Sequence, residues 1–280
     1  MELHKKHEAI CEELGDQAGM AGSYGNQALI LSDWGKLDEA MELHKKNEVI
    51  CEELGDRAGL TKSYGNQALI LRVWGELDKA LALLKKQAAI CEELGSRAEL
   101  AGTYGNQAVI LSEKGKFDEG LALFNKVEVI YDELGSRAEL AGTYGNQAVI
   151  LKDKGKFDEA LVLFKKMEAI CEELGDRAGL ARSYGNQSHI AYLMGKLDEA
   201  LVLSNKMEEI SEELGDRAGL TICWWNKGFI YEAKGDYHTQ AKLWQKSIET
   251  KKSMGIPTQK YEKAYKMLLK SMQKSTGKKK

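Results

Sequence analysis

The strongest constraint on this chain is an internal repeat of forty residues. The segment SYGNQALIL at residues 23–31 recurs at 63–71, and variants of it begin at 103, 143, 183 and 223. Residues 93–111 are identical to residues 133–151. A period of this length is typical of arrays in which each repeat buries its apolar side only against its neighbours. The sequence therefore predicts six stacked units, which arose either by recent duplication or by deliberate consensus design.

Each unit is predicted to contain two helices. The chain has a single proline, Pro257, and is rich in Ala, Leu, Glu and Lys, which favour helices over strands. A polar residue that can cap a helix N-terminus follows a glycine once in every unit. These residues are Asp16, Asp56, Ser96, Ser136, Asp176 and Asp216. In two units Glu99 and Glu139 follow the serine by three residues, which predicts a capping box. Further glycines are expected to end both helices.

Helical periodicity separates a core side from an open side. On the first helix a broad arc is predicted to be buried, and it contains Tyr24, Gln27, Ala28, Ile30, Leu31 and Trp34. A narrower opposite sector contains Gly22, Asn26, Leu29 and Asp33. On the second helix the predicted core stripe is Leu37, Ala40, His44, Asn47, Cys51 and Leu54. Neither helix can bury its stripe alone, so stacking is required.

The small and apolar positions of each unit resemble tetratricopeptide repeats. Ala28, Leu31, Gly35, Leu37 and Ala40 fit that signature, and the turn LGDR at residues 54–57 is most similar to the Pins/LGN family, followed by kinesin light chains. The resemblance covers residues 1 to about 254 and implies an all-α, right-handed superhelical solenoid of stacked antiparallel helix hairpins. It also implies that an extended peptide or a partner helix binds inside the superhelix. Gly25 and Gln27 depart from the usual pattern.

One asparagine is present at the same open position of every unit. These residues are Asn26, Asn66, Asn106, Asn146, Asn186 and Asn226. An asparagine amide can both donate to and accept from a peptide main chain, so a row of them can hold an extended peptide. Alternatively, each asparagine bonds a neighbouring helix and sets the repeat geometry. The candidate specificity residues beside this row are Leu69, Arg72, Val109, Lys152, His189 and Phe229. Gly25 and its equivalents either permit close helix packing or leave room for a ligand.

The two ends of the chain differ from the units. Residues 1–15 repeat residues 41–55 and therefore form a second helix without its first-helix partner, which indicates either a truncated unit or a cap. Ile10, Cys11 and Leu14 are then expected to expose an apolar stripe that supports a weak homodimer. Residues 258–273 are predicted to form an amphipathic, basic capping helix, the alternative being a helix that binds a membrane surface or a calmodulin-like partner. Residues 274–280 are predicted to be a disordered basic tail.

Composition and spacing argue against several other classes of function. Residues 241–280 carry twelve lysines against Glu249 and Glu262, whereas the rest of the chain is acidic, so nucleic acid is not the expected main partner. We expect neither a metal site nor a cofactor, because the five histidines do not recur with metal-ligand spacing. No phosphate-binding loop or nucleophile motif is present, and no segment is apolar for eighteen residues, so neither an enzyme nor a membrane span is predicted. The five cysteines are not expected to form disulfides in a cytoplasmic protein, and Cys11, Cys51, Cys91 and Cys171 are expected to be free, buried thiols.

The leading hypothesis from the sequence is a scaffold that binds a protein or an extended peptide in a concave groove. The alternative is a structural or consensus-designed repeat array that has no natural ligand and self-associates.

Overall fold

The chain folds as a series of α-helices that pack as antiparallel hairpins. The computed structural model describes residues 2–277, except for the side chains of residues 2, 5 and 274–277, and within this range it contains fourteen helices and no strand. The helices are α1 Glu2–Leu14, α2 Gln17–Asp33, α3 Leu37–Leu54, α4 Arg57–Val73, α5 Leu77–Leu94, α6 Arg97–Glu113, α7 Phe117–Glu133, α8 Arg137–Asp153, α9 Phe157–Leu174, α10 Arg177–Leu193, α11 Leu197–Glu213, α12 Arg217–Ala233, α13 Tyr237–Ser253 and α14 Gln259–Gly277.

The chain divides into two compact units, Met1–Ser136 and Arg137–Lys280. Unit 1 contains α1 followed by the hairpins α2/α3, α4/α5 and α6/α7. Unit 2 contains the hairpins α8/α9, α10/α11 and α12/α13, followed by α14. Within each unit the two helices of every hairpin pack together, and a second helix packs on the first helix of the hairpin that follows it in that unit. The predicted all-α array of tetratricopeptide-like hairpins is confirmed. We refer to α2, α4, α6, α8, α10 and α12 as the first helices and to their hairpin partners as the second helices.

Helix caps and glycine turns define the hairpins. The carboxylate of Asp56 accepts a hydrogen bond from the Gly59 amide at 2.9 Å, and the other three predicted aspartate caps make the equivalent bond. Gly55 ends α3 with φ +67°, a left-handed conformation that glycine adopts without steric cost. Such a glycine recurs every twenty residues from Gly15 to Gly255. The predicted capping box at Ser96 is wrong, because its hydroxyl makes no capping hydrogen bond.

The core lies between the two layers of helices, as the periodicity predicted. Ala28 and Ala40 are fully buried where the helices of one hairpin cross, and Leu31 packs beside them. Two predicted core residues lie outside it. Trp34 is 61% exposed and Leu54 is 46% exposed, because each lies at the end of its helix, where the neighbouring helix no longer covers it.

Polar bonds between adjacent hairpins explain the glutamine that departs from the tetratricopeptide pattern. The side chain of Gln67 in α4 donates to Glu48 in α3 at 2.6 Å, and Gln187 in α10 donates to Glu168 in α9 at 2.9 Å. A buried glutamine is therefore satisfied by a carboxylate of the preceding second helix. A hydrogen bond of this kind stabilises the stack only modestly, but its loss leaves a buried polar group unpaired.

Each hairpin also contains an aromatic ring of the first helix covered by a lysine of the second. In α4 and α5 the Lys86 ammonium lies 5.1 Å from the centre of the Tyr64 ring. The same pair occurs in all six hairpins, with Trp224 and Lys246 in the last. Each cation–π contact of this kind contributes about 0.5–1 kcal/mol at exposed sites.

Helices α1 and α14 flank the hairpins in units 1 and 2 respectively. In α1, Ile10 and Leu14 are exposed as predicted, but Cys11 is wrongly placed in that stripe, since it is only 3% exposed. Helix α14 packs against α13, and its Leu268 lies in a cluster with Trp244. The helix continues to Gly277, beyond the predicted end at residue 273. The remainder of the predicted tail, residues 278–280, lies outside the described residues. None of the described helices is long and apolar enough to cross a membrane.

Candidate peptide-binding surface

The asparagines of unit 1 lie on the solvent-facing side of their helices. Asn26 is exposed, and Asn66 and Asn106 are half-buried. Within residues 2–277 none of these three side chains has a hydrogen-bonding partner. Each amide can donate two hydrogen bonds and accept two. Three polar groups on successive first helices are therefore open to a ligand.

The asparagines of unit 2 lie on the same side of α8, α10 and α12. Asn146 and Asn226 are exposed, and Asn186 is half-buried. The Asn186 amide donates to the carbonyl of Arg182 in its own helix at 3.0 Å. This bond uses one donor and leaves the second donor and the carbonyl oxygen of Asn186 for another group. The structural alternative requires each asparagine to bond a neighbouring helix. Among the described residues, no asparagine of the row makes such a bond.

A pocket of about 330 Å³ lies between α2 and α4, with α3 as its floor. We call it the first pocket. Asn26 and Asn66 line it from the two first helices, together with Leu29. Gly25 and Gly59 also line it, and at Gly25 an added Cβ would lie 3.7 Å from the nearest atom, so this position leaves open space. The pocket and two of the asparagines therefore form one continuous surface.

The floor of the first pocket is polar. His44 is 1% exposed, and its Nε2 atom has no hydrogen-bonding partner within the described residues. Burial lowers the pKa of His44 to about 4, so its imidazole is neutral at pH 7. Asn47 donates to the carbonyl of Ala21 at 2.7 Å, and this bond holds its side chain against α2. A buried, unpaired ring nitrogen is costly unless another group satisfies it.

The candidate specificity residues of unit 1 have different surroundings. Leu69 is 45% exposed and therefore accessible. Val109 is half-buried on α6. Arg72 makes a bidentate ion pair with Glu113, in which its Nε lies 2.9 Å from Oε1. Arg72 therefore bridges α4 and α6, and a ligand must compete with that carboxylate to reach it.

The candidates of unit 2 are also unequal. The Lys152 ammonium lies 3.6 Å from the Asp153 carboxylate, and the charges of both groups affect the pKa of His189 on the next first helix. Partial burial and the charge of Lys152 lower the pKa of His189, and Asp153 opposes this shift. Phe229 packs edge-on against Trp225 and Trp244, with ring centres 6.0 and 5.3 Å apart. Its ring therefore belongs to an aromatic cluster and is half-buried.

The glycines inside the first helices permit close packing. A Cβ added at Gly65 would lie 2.9 Å from the Gln87 side chain, and one at Gly185 would lie 2.8 Å from the Met207 sulfur. At Gly25 the nearest atom is the Asn47 amide nitrogen, at 3.7 Å. Close packing therefore explains the glycine in several hairpins, and in the first hairpin the same position leaves open space.

The five cysteines are free, as predicted, and all of them are buried. Burial and the nearby Asp56 raise the pKa of Cys51 to about 11, which keeps its thiol protonated at neutral pH. In residues 2–277 no group of three or more His, Cys, Asp and Glu side chains is arranged to hold a metal ion.

The first pocket was not predicted from the sequence, although a signal was present. His44 occupies a position at which the other five complete units carry Leu84, Phe124, Phe164, Ser204 and Trp244. A polar, titratable residue among mostly apolar equivalents marks a unit whose interior differs from the others. Periodicity alone assigned His44 to the core stripe, and its unpaired nitrogen is visible only in the packed structure.

Comparison with known proteins agrees with this fold. Residues 139–213, which span α8 to α11, match a family model described as tetratricopeptide repeat. BtubC (BKLC) from P. vanneervenii is 20% identical, covers 79% of this chain and 90% of its own, and has a TM-score of 0.66. The apo form of the quorum sensor NprR from B. thuringiensis is 16% identical, and the match covers 95% of this chain and 75% of NprR with a TM-score of 0.68.

A putative kinesin light chain from Podosopora anserina with nearly identical TPR-like repeats is 17% identical. The match covers 69% of this chain and 95% of that protein, with a TM-score of 0.59. No curated protein sequence matches this chain. At these identities the likeness concerns the fold, which is that of tetratricopeptide-like helical repeats.

Proposed function

We propose that this chain binds an extended peptide, or an extended segment of a partner protein, along the solvent-facing side of its first helices. The observation that carries the proposal is the set of asparagine amides without protein partners on α2, α4 and α6. Half-buried amides such as those of Asn66 and Asn106 lose part of their hydration and gain from a ligand that supplies hydrogen bonds.

A peptide main chain suits these groups because it presents alternating donors and acceptors. An amide side chain can satisfy both types at once, so it holds the main chain whatever side chains the peptide carries. Selectivity then comes from the residues beside the asparagines. Leu69 offers an apolar contact, and Arg72 and Glu113 offer opposite charges that can separate to pair with a ligand.

The similarity to known structures supports the same proposal at the level of the fold. NprR is a quorum sensor that was crystallised in its apo form, so a fold of this kind occurs in a protein that responds to a ligand. The free, buried cysteines support a reducing, cytoplasmic location. The absence of nucleic acid as a main partner stays a prediction.

The test begins with selection of binding peptides from a displayed library of random twelve-residue peptides against the full chain. Dissociation constants of the selected peptides are then measured by fluorescence polarisation. Each amide hydrogen bond contributes roughly 0.5–1.5 kcal/mol, so replacing both Asn66 and Asn106 with alanine is expected to weaken binding by about 5- to 150-fold. The melting temperature should change little, because neither side chain bonds another part of the protein.

Gln67→Ala is the matched control, since Gln67 follows Asn66 on the same helix but points to Glu48 in the protein interior. It should lower the melting temperature and leave peptide affinity nearly unchanged. The proposal is wrong if the double asparagine variant binds all selected peptides like the parent, or if its melting temperature falls as far as that of Gln67→Ala.

A second candidate role is self-association through α1, which the exposed Ile10 and Leu14 favour at 53% and 76% exposure. Burying apolar side chains contributes about 25 cal/mol per Å², so a few residues can support a weak dimer. Sedimentation at rising concentration tests this candidate. The Ile10→Lys variant should remain monomeric at concentrations where the parent dimerises, and a parent that is monomeric throughout would exclude this role.

A further inference from the structure

The last hairpin of unit 2 fills with its own aromatic rings the place that corresponds to the first pocket. Trp225, Phe229 and Trp244 lie two hundred residues after Gly25, Leu29 and His44, that is, five repeat periods later. The Trp225 and Trp244 rings stack with centres 4.2 Å apart and planes 13° apart. The Trp244 indole donates to the Trp225 carbonyl at 3.0 Å.

Helix α14 supplies a fourth ring at this place. Tyr261 has the same position relative to the start of α14 as Gly59 has in α4. Tyr261 lies three residues after Thr258, and the carbonyl of Thr258 accepts the first hydrogen bond of the helix, from the Glu262 amide. Gly59 lies three residues after Asp56, which has the same role in α4. The Tyr261 ring contacts Trp225 edge-on, with centres 4.8 Å apart.

The first pocket lacks all of these rings. Its corresponding residues are two glycines, Leu29 and His44, and all four line the empty volume of about 330 Å³. In three of the four intermediate hairpins a longer side chain, Gln87, Met167 or Met207, lies against the glycine. The Met167 sulfur is 3.0 Å and the Met207 sulfur 2.8 Å from a Cβ placed there. In the first hairpin the shorter Asn47 is held back by its bond to Ala21.

We propose that the first pocket receives an aromatic side chain of the bound peptide, whose ring takes the place over His44 that the Trp225 ring takes over Trp244 in the last hairpin. This inference rests on the proposed function and adds a specificity subsite to it. The volume is at the lower end of the range for ligand sites, about 300–1,000 Å³, which suits one large side chain. Aromatic rings gain from stacking in addition to the apolar area that they bury.

The polar floor favours a ring with a hydrogen-bonding group. His44 lines the pocket, and its Nε2 atom is buried without a partner in the described residues. The imidazole is neutral at pH 7, so an incoming aromatic ring meets no charge at this part of the lining. The asparagines at the rim, Asn26 and Asn66, remain available for the main chain on both sides of the aromatic residue. A tryptophan or tyrosine in an extended peptide meets these requirements.

The experiment uses the full chain labelled with ¹⁵N-histidine and two probes, N-acetyl-tryptophanamide and N-acetyl-leucinamide. The ring nitrogen signals of His44 are assigned by their loss in the His44→Phe variant. We expect the tryptophan probe to shift these signals at concentrations about tenfold lower than the leucine probe, because both probes share the main-chain amides and differ only in the side chain.

The pocket is then filled by Asn47→Met, which copies the methionine of Met167 and Met207. The matched control is Gln87→Met, the same change at the corresponding position of the next hairpin. Asn47→Met should abolish the tryptophan-dependent shift and Gln87→Met should preserve it. Equal responses to the two probes, no response of His44, or a response that survives Asn47→Met would overturn the proposal. If Asn47→Met does not fold, the comparison of the two probes on the parent still decides.

These outcomes are separate from failure of the proposed function. If the pocket is not an aromatic subsite, selected peptides still lose affinity in the Asn66 and Asn106 double variant but show no preference for aromatic residues. If the asparagines do not hold a main chain, the tryptophan probe still shifts His44 while the double variant binds peptides like the parent.

Discussion

Replacing Lys227 with alanine should destabilise unit 2 by removing one partner of a largely buried ion pair. The Lys227 ammonium donates to the Glu208 carboxylate at 2.5 Å and to Asn205 at 2.7 Å. The side chains of Lys227 and Glu208 are only 9% and 20% exposed. Trp224 donates to the other oxygen of the same carboxylate. The alanine variant therefore leaves a largely buried carboxylate with one hydrogen bond and without its paired ammonium, the charge of Lys246 acting on it without a hydrogen bond.

Breaking a buried ion pair by removing one partner costs about 3–5 kcal/mol. The carboxylate of Glu208 keeps some exposure and its bond to Trp224, so we expect a loss of about 3 kcal/mol in the free energy of unfolding at pH 7. Lys227→Gln is the matched control, because Gln67 and Gln187 make the equivalent bond to a glutamate in other hairpins. Its loss should be about 1 kcal/mol, since the carboxylate keeps a neutral donor.

The loss should depend on pH. Burial alone would raise the pKa of Glu208, but the hydrogen bonds from Lys227 and Trp224 outweigh it and hold the pKa below its usual value. Because this pKa is depressed in the folded state, the stabilisation is complete above the unfolded pKa of about 4.3 and is lost as the pH falls through the folded value. The difference between parent and Lys227→Ala should therefore shrink between pH 7 and pH 3.

The assay is urea unfolding followed by tryptophan fluorescence, in a background with Trp34→Phe and Trp74→Phe so that the emission comes from unit 2. The free energies of parent, Lys227→Ala and Lys227→Gln are compared at pH 7, 4 and 3. A loss below about 0.5 kcal/mol at pH 7, or an equal loss at pH 7 and pH 3, would refute the assignment of a stabilising buried ion pair.

Two further predictions concern the repeats themselves. Gly142→Ala should stabilise the protein by about 0.5–1 kcal/mol in thermal unfolding, because a Cβ there meets no atom within 4 Å and alanine favours a helix. Gly179→Ala should destabilise it, because the Cβ would overlap the carboxylate that caps α10. A Gly179→Ala variant more stable than Gly142→Ala would contradict this account. Lys86→Met should cost about 0.5–1 kcal/mol through loss of the contact with the Tyr64 ring, whereas Lys85→Met on the neighbouring exposed position should cost almost nothing. Equal costs would show that the ring contact contributes no stability.

The period and the hairpin arrangement could be predicted because they depend on local rules. Asp56 caps α4 and Gly55 ends α3 through bonds within a few residues, so sequence spacing is sufficient. Helical periodicity placed Ala28 and Ala40 in the core for the same reason. Trp34 was misplaced because a helical wheel cannot tell where the covering helix ends. The exposed orientation of the asparagines followed from the same periodicity, but their lack of partners did not.

The details of the candidate site depend on contacts between distant residues. The first pocket requires the positions of three helices and the bond that holds Asn47 against α2. Phe229 was predicted as a specificity residue because it occupies the same variable repeat position as Leu69 and Val109, but its ring packs edge-on against Trp225 and Trp244. Such differences between repeats arise where one unit changes several contacting residues together, which a comparison of single positions does not reveal.

The most direct test of the central claim is a crystal structure of the full chain with a peptide selected from the displayed library. We predict a peptide in extended conformation whose main-chain amide and carbonyl groups bond the side chains of Asn66 and Asn106, at distances of about 2.7–3.2 Å. A peptide bound instead to the second helices, or one that lies on the first helices without bonding these asparagines, would contradict the account.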